Sequence, residues 1–427
     1  MRILVVGSGG REHTIIWKLA LSNRVQAILC TPGNAGIAQI ARCIPVQPDD
    51  FAAISDLVRK ERMDFVIVGP EAPLASGLVN HLKAEGIGVL GPTREAAQLE
   101  SSKVFSKDFM ARHNVPTARY ATYLDARSAI AYLESSEATF PIVVKADGLA
   151  AGKGVVVARD VREAKDAVQR IMVAREFGAS GERIIVEECL EGIEASYIVF
   201  TDGETIVPAV AARDHKAVFD NDAGPNTGGM GAYSTDDILG PEREQDVLKR
   251  VIRPVIDGMR SEGYPFQGIL YAGLMLTSRG VQVLEFNVRM GDPECQVILP
   301  RLKSDFPDLC AALCHGRLKD YKAEWHSEAA VCVVLASGGY PGPYAKGKAI
   351  TGLGMAEENR RVAVFHAGTR KEGDKFLTDG GRVLGVTAMD KDLASAMMLA
   401  YEAVNKIHFE GMHYRRDIGA KGLSVNA

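Results

Sequence analysis

The sequence predicts an α/β protein in three parts: an N-terminal parallel-sheet domain, a central region that includes a smaller α+β unit, and a small C-terminal α/β domain. Three observations carry this prediction. Short apolar runs alternate with amphipathic helical patterns over the first part of the chain. A stretch rich in Gly and Lys, KADGLAAGKGVVV (145–157), lies between two strand patterns. An alternating strand, VQVLEFNV, ends on the Glu-x-Asn pair Glu285 and Asn287.

In the first part, RILVV, VQAILC, DFVIVG and GIGVLG read as strands, with REHTIIWKLALS, DDFAAISDLVRKE and APLASGLVNHLKAEG as helices between them. That rhythm belongs to a parallel sheet covered on both faces. Ligands of such sheets sit at the carboxyl ends of the strands, which here carry GSGGRE (7–12), TPGNAG (31–36) and GPEAPL (69–74). The first loop is a poor dinucleotide fingerprint. Glu12 replaces the third Gly, and the second strand ends around Cys30 without a carboxylate. An anion site at the helix N-terminus, aided by Arg11, and a plain tight turn both remain open.

Residues 101–115 form an amphipathic helical pattern that Pro116 closes. The Gly-Lys stretch after it is not a Walker loop: three residues separate Gly148 from Gly152, and Gly154 stands where a hydroxyl should follow Lys153. It joins strand to strand, and its composition suits a hairpin that wraps phosphate. Next, ERIIVEECLEGIEASYIVF (182–200) reads as two strands around a bend with Glu187, Glu188, Glu191 and Glu194. The bend is either a solvated acidic face or a connector that offers backbone groups to an adenine edge and a carboxylate to ribose hydroxyls. Residues 212–234 have no hydrophobic period, which predicts an ordered, ligand-facing loop over a surface excursion.

A helix over 241–262 and two strands, GILYAGLML and GVQVLEFNV, follow. Alternation puts Glu285 and Asn287 on one face, with Arg289 beyond them, and sends Leu284 and Phe286 into the core. A carboxylate and an amide are hard oxygen donors suited to Mg²⁺ already held by phosphates. The competing reading is a surface ion pair between Glu285 and Arg289. From about residue 328 the chain reads as another small α/β unit with hairpin turns such as TDGGRVLGV.

Composition narrows the class. The chain is 47% hydrophobic and 24% charged with net charge -4, which argues against a nucleic-acid surface. No apolar run approaches the roughly 18 residues of a membrane span, and MRILVVGSGG reads as a first strand, not a signal peptide. Seven cysteines, an odd number thinly spread, predict reduced thiols in a cytoplasmic enzyme. Cys310 and Cys314, beside His315, read as core residues, not zinc ligands, because LCAALC is apolar at helical spacing.

The order of Lys145 with its Gly-rich hairpin, the Glu-rich connector and Glu-x-Asn resembles the ATP-grasp ligases. From end to end the chain is similar to their glycinamide ribonucleotide synthetase family, through GSGGREH (7–13), PGNAG (32–36), IVGPEAPL (67–74), GPT (91–93), KADGLAAGKGV (145–155), DHK (214–216), GPNTGGMGAYS (224–234) and RMGDPECQ (289–296). Met290 stands where that family has an aromatic or Leu, and LYAGLML carries no further acidic metal ligand. The resemblance implies an ATP-grasp fold: a Rossmann-like N-terminal domain (1–101), an ATP-grasp domain (102–327) with a lid of about 118–192, and a C-terminal domain (328–427). It implies a ligase acting on the small molecules ATP, glycine and 5-phosphoribosylamine with Mg²⁺ or Mn²⁺, independent of nucleic acid or membrane, as a monomer or weak homodimer.

The same resemblance assigns residues. Lys103 and Lys145 take the phosphates. Gly148, Gly152, Lys153 and Gly154 form the lid hairpin. Glu187, Glu188 and the backbone near Leu190 take adenine, and Glu194 takes the ribose. Glu285 and Asn287 hold metal. Arg289, Lys153 and Asp214 serve catalysis, with Asp214 on the glycine ammonium. Gly9, Gly10, Arg11, Asn34, Glu71, Lys216 and Asp292, together with Arg289, bind the substrates. Two competing readings stay in view: a carboxylate–amine ligase of the same architecture with another acceptor, and a silent nucleotide-binding protein. The complete Lys, Glu-x-Asn and Arg set argues against the second.

Overall fold

In the computed structural model, which describes residues 1–149 and 154–424, β1 (Arg2–Gly7), β2 (Ala27–Pro32), β3 (Arg42–Cys43), β4 (Phe65–Val68) and β5 (Val89–Leu90) form a parallel sheet of order β3-β2-β1-β4-β5. Helix α1 (Gly10–Ala20) follows β1 directly. Alternate residues of β1 enter two different cores, Ile3 and Val5 on one side and Leu4 and Val6 on the other. Period-2 side-chain placement makes this unavoidable in a sheet covered on both faces. The strand order reverses beside β1, so its C-terminal loop opens into the crevice where such sheets bind ligands.

The amphipathic segment after this sheet begins later than its pattern predicts. Ser102 is extended, and its Oγ accepts the Phe105 N–H at 3.1 Å, so the helix runs Lys103–Arg112 with Lys103 in its first turn. A lid follows: β6 (Tyr120–Tyr123), β7 (Ile142–Ala146), β8 (Val155–Ala158) and β9 (Ile184–Glu188) make one antiparallel sheet, β6-β9-β7-β8. Two helices pack on it around a core of its own, including Leu133, Val144, Val168 and Ile184. A separate core is what lets such a unit move as a body.

Four residues then carry the chain from the lid sheet into a second one. β10 (Ile193–Thr201) and β11 (Ile206–Pro208) join it, and four short strands follow: β12 (Arg213–Asp214), β13 (Ala217–Phe219), β14 (Ala223–Asn226) and β15 (Gly231–Ser234). After a helical stretch interrupted by a π turn at Leu248–Ile252, β16 (Gly268–Thr277) and β17 (Gly280–Asn287) complete a sheet of order β11-β10-β16-β17. Residues 212–234 are therefore ordered and largely extended: β13 pairs with β14 as a hairpin.

The C-terminal part supplies β18 (Ala329–Ala336), β19 (Ala349–Ile350), β20 (Val362–His366), β21 (Thr369–Glu372), β22 (Lys375–Thr378) and β23 (Arg382–Asp390). Its main sheet, β12-β15-β18-β23-β20, takes two strands from the central region. Cys310 is fully buried in the core that also holds Ile3 and Phe200. No helix among the described residues is long and apolar enough to cross a membrane.

Candidate active site

The lid sheet and the central sheet face each other across the 189–192 connector. At the lid edge Glu187 is buried, and its Oε2 lies 3.0 Å from Lys145 Nζ and 3.2 Å from Lys107 Nζ. Its other oxygen, Oε1, is buried without a hydrogen-bond partner among the described residues. Lys107 lies one helical turn after Lys103 and so shares its face. Burial, with Lys145 adding to it and Glu187 opposing, pushes the Lys107 ammonium down to about 8. Glu188 points the other way, towards Arg119 and Arg279, so its carboxylate stays outside this cluster. Glu194 lies 3.0 Å from Lys216.

The lower wall carries a departure from the sequence reading. Leu284 is not in the main core. Pairing between β16 and β17 shifts after Gly273↔Glu285 to Leu274↔Val283, leaving Leu284 as an extra residue. This bulge breaks the alternation. Val283 and Phe286 reach the main core, while Leu284 packs with Ala118, Leu190 and Met275 in a small apolar cluster beside the connector. The Leu284 carbonyl accepts a hydrogen bond from Lys145 at 3.3 Å. An apolar seat next to an unpartnered buried acceptor and backbone groups fits a flat base with an exocyclic amine.

Glu285 and Asn287 follow on the cleft side. Burial opposes ionisation of Glu285, yet Lys216, Lys145, Lys103 and Arg289 hold it below the usual carboxylate range. Gly273, opposite in the sheet, adds no side chain there. An ionised carboxylate and the Asn287 amide oxygen, which accepts from Arg289 at 3.2 Å, fit a divalent cation whose remaining ligands are phosphate oxygens and water. Lys103 Nζ donates to the Gly148 carbonyl at 3.0 Å. Asp147 accepts from Ser102 Oγ and the Val104 N–H, both at 3.1 Å, which ties the root of the lid hairpin to the helix carrying Lys103. Gly148 has φ +137, and a Cβ there would lie 2.4 Å from Ser180 Oγ. The Gly154 carbonyl accepts from the Ala146 N–H. Gly152 and Lys153 lie outside the described residues.

Arg289 joins two parts of the molecule. Its Nη2 donates to Glu100 Oε1 at 2.7 Å, and its Nε lies 3.3 Å from Oε2 of Glu71, the first residue of the short helix after β4. Burial pushes the Glu100 carboxyl up, with Arg289 opposing. Glu71 is lowered despite burial, because Arg289 and Arg11 both face it. Arg11 donates to Glu12 Oε1 at 2.7 Å and to the Met290 carbonyl at 3.1 Å.

Glu12 explains the defective fingerprint. Its carboxylate accepts the Gly9 N–H at 2.6 Å, and a Cβ on Gly7 or Gly69 would fall 2.5 Å or 2.1 Å from its side chain. It fills the crevice end that a dinucleotide would need. Asn34 is spent on structure as well: its amide donates to the Ser8 and His366 carbonyls, and its oxygen accepts from Gly36 and Ile37. Gly10 faces Gln296 and Asp292.

Beside β12, Asp214 and Lys216 form an acidic pocket with Glu294. Burial pushes the Asp214 carboxyl up to about 7; Lys216 opposes, and Glu294, Glu194 and Glu285 add to the rise. Glu294 accepts from Tyr271 Oη at 2.7 Å and Ser196 Oγ at 3.2 Å. Such a pocket suits a small ammonium group. Sequence reasoning gave no role to Glu100, Lys107, Tyr271, Glu294 or Arg382. Lys107 was readable from its spacing to Lys103, whereas the others gain meaning only from tertiary contacts.

Profiles of the phosphoribosylglycinamide synthetase family match the chain in three blocks: the N domain over residues 1–100, the ATP-grasp (A) domain over 101–295 and the C domain over 330–421. A phosphoribosylamine–glycine ligase of Vibrio cholerae is 47% identical over 427 residues, covering 99% of both chains. The trifunctional purine biosynthetic protein adenosine-3 of Gallus gallus is 49% identical over 427 residues, covering 99% of this chain and 42% of that protein. Among solved structures, the phosphoribosylamine–glycine ligase of Thermotoga maritima superposes with TM-score 0.85 at 32% identity, covering 98% of this chain and 100% of that one. With its lid, its paired sheets and its three matched blocks, the chain belongs to the phosphoribosylglycinamide synthetase family, an ATP-grasp family.

Proposed function

We infer that this chain is an ATP-dependent ligase that joins glycine to 5-phosphoribosylamine, giving glycinamide ribonucleotide, ADP and phosphate in purine biosynthesis. The observation that carries the reading is the set of cations around the Glu-x-Asn strand: Lys145 donates to the Leu284 carbonyl at 3.3 Å, Arg289 to Asn287 Oδ1 at 3.2 Å, and both, with Lys216 and Lys103, favour the ionised Glu285 carboxylate. That excess of cations around hard oxygen donors fits a triphosphate, where catalysis is mainly positioning and charge neutralisation.

A free carboxylate is a poor acyl donor, since oxide would have to leave. Transfer of the ATP γ-phosphoryl group to a glycine carboxylate oxygen releases ADP and gives glycyl phosphate. The ribosylamine nitrogen then attacks the acyl carbon, phosphate leaves with the C–O electron pair, and the nitrogen loses a proton. In this scheme Lys103 and Lys145 hold phosphate oxygens, and Arg289 faces the transferring group. Glu187 and the backbone near Leu190 take adenine, Glu194 the ribose, and Asp214 with Glu294 the glycine ammonium. The loops at Gly9, Gly10, Arg11 and Glu71 take the phosphoribosyl part. Glu285 and Asn287 would hold Mg²⁺ or Mn²⁺, which when bound neutralises phosphate charge. The lid sheet would close over the site against water, and Lys153, which lies outside the described residues, keeps its assignment to the lid over the phosphates. Free thiols at all seven cysteines support action in the cytoplasm, where we read the chain as working on small molecules as a monomer or weak homodimer.

Trapping tests the chemistry. ATP, glycine and hydroxylamine, with no ribosylamine, should yield glycyl hydroxamate and ADP in equal amounts. ADP without hydroxamate would count against an acyl phosphate.

A further inference from the structure

The C-terminal part sends a guanidinium to the segments that flank Asp214 and Glu294. Arg382, at the start of β23, donates from Nη1 to the carbonyls of Asp292 at 2.6 Å, Gly228 at 2.7 Å and Gly229 at 3.5 Å. Its Nη2 lies 3.3 Å from Asp292 Oδ2. Two segments that are far apart in sequence thus meet on one guanidinium.

Each segment carries part of the acidic pocket. Residues 227–231 pair with the backbone of 215–216: Thr227 N–H donates to the Lys216 carbonyl, and Met230 N–H to that of His215, both at 2.8 Å. Their position therefore sets that of Asp214 and Lys216. The Asp292 turn leads directly to Glu294. Gln296 donates to the Asp292 carboxylate at 2.7 Å, and a Cβ on Gly9 or Gly10 would lie 3.3 Å or 3.6 Å from that carboxylate, so the same turn lies against the start of α1. The glycines record how close this approach is. A Cβ on Gly228 would lie 3.1 Å from Arg382 Cζ, and one on Gly229, where φ is +112, would lie 2.4 Å from Pro293 Cδ. Tyr340, also from the C-terminal part, accepts the Gly228 N–H at 3.1 Å.

We propose that Arg382 is a positioning residue for the amino-acid substrate: its guanidinium fixes the spacing between the Asp214–Lys216 segment and the Glu294 turn, and so the pocket for the ammonium group. The inference rests on the proposed ligase reading. Nη1 serves the carbonyls while Nη2 faces the Asp292 carboxylate, a planar two-nitrogen arrangement that neither a point charge nor a neutral chain reproduces. The proposed phosphate and adenine contacts lie on the lid, on the helix carrying Lys103 and on β17, and only the proposed ribose contact Glu194, 3.0 Å from Lys216, borders this clamp.

The test is steady-state ADP release on the full chain, with phosphoribosylamine generated in situ and held constant while glycine and ATP are varied separately. Arg382→Met should raise the glycine KM about tenfold or more and leave the ATP KM within about twofold, since displacing a substrate pocket acts on the substrate it holds. Arg382→Lys should fall between Met and the wild type. Gly228→Ala keeps the guanidinium but pushes it aside, and should raise the glycine KM in the same direction; it decides the matter if Arg382→Met does not fold. Glycine KM values unchanged in both folded variants, or an ATP KM that rises equally, would overturn the proposal. A wild-type chain whose ADP release ignores glycine would instead overturn the ligase reading and this inference with it.

Discussion

Arg289 and Glu71 lie 3.3 Å apart, one just past the end of β17 and the other at the start of the short helix after β4. This contact ties the cation set around Glu285 to the N-terminal crevice, so phosphoryl transfer and amine attack can share one centre. Glu100 holds the same guanidinium from the other side at 2.7 Å. Arg289→Lys keeps the charge but cannot reach Glu71, Glu100 and Asn287 together. It should lower kcat on the order of 100-fold with a far smaller change in the ATP KM, in keeping with a lost charge-stabilising donor. Equal loss in both would place Arg289 in ground-state binding.

At the lid edge, Glu187→Gln should raise the ATP KM about tenfold and spare the glycine KM, because Oε1 is the unpartnered acceptor beside the apolar seat. Glu187→Leu goes further, leaving Lys107 and Lys145 buried without their carboxylate. That should cost about 3–5 kcal/mol in denaturant unfolding. A Leu variant as stable as the wild type would show that both lysines find other partners.

Glycine binding should depend on pH through Asp214. Its carboxyl sits at about 7, above its ordinary 3.8, and only the ionised form attracts an ammonium. Affinity therefore rises as pH rises through about 7 and falls by up to about tenfold per unit below it. Asp214→Asn should raise the glycine KM about 10- to 100-fold and flatten this limb. A pH profile of kcat/KM for glycine that keeps its limb in the Asn variant would assign the titration elsewhere.

Gly148→Ala tests the lid root. The residue sits at φ +137 with Ser180 in the way, so the substitution should strain the hairpin by about 1–3 kcal/mol. The expected readout is a lower kcat with little change in global Tm, since the lid has its own core. Pairing it with Ser180→Ala should restore only a small part of the loss, since it removes the Oγ at 2.4 Å but leaves Ser180 Cβ at 2.9 Å and the φ strain in place.

Much of this was legible beforehand because it is local. Alternation and turn residues placed β1, β2, β4 and β5 but not the two-residue β3, and the Glu-x-Asn pair stood on the cleft side of its strand. Leu284 was misplaced because a bulge is a property of two strands, visible only when β16 is set beside β17. Ser102 interrupted the helical pattern through a cap that periodicity does not register. Glu12 could be read as the wrong residue for a dinucleotide, but not as the plug that replaces it. Residues 212–234 looked aperiodic because their strands are short and join two different sheets. Arg382 was silent because its partners are backbone carbonyls, which have no sequence signature.

The most direct measurement is ADP release with Mg²⁺, glycine and phosphoribosylamine generated in situ, in the wild type beside Glu285→Ala. The account predicts release that requires both substrates and falls at least about 100-fold in the folded variant, since a metal ligand central to the cation set is gone. Wild-type release indifferent to either substrate, or a Glu285→Ala variant that turns over normally, would contradict it.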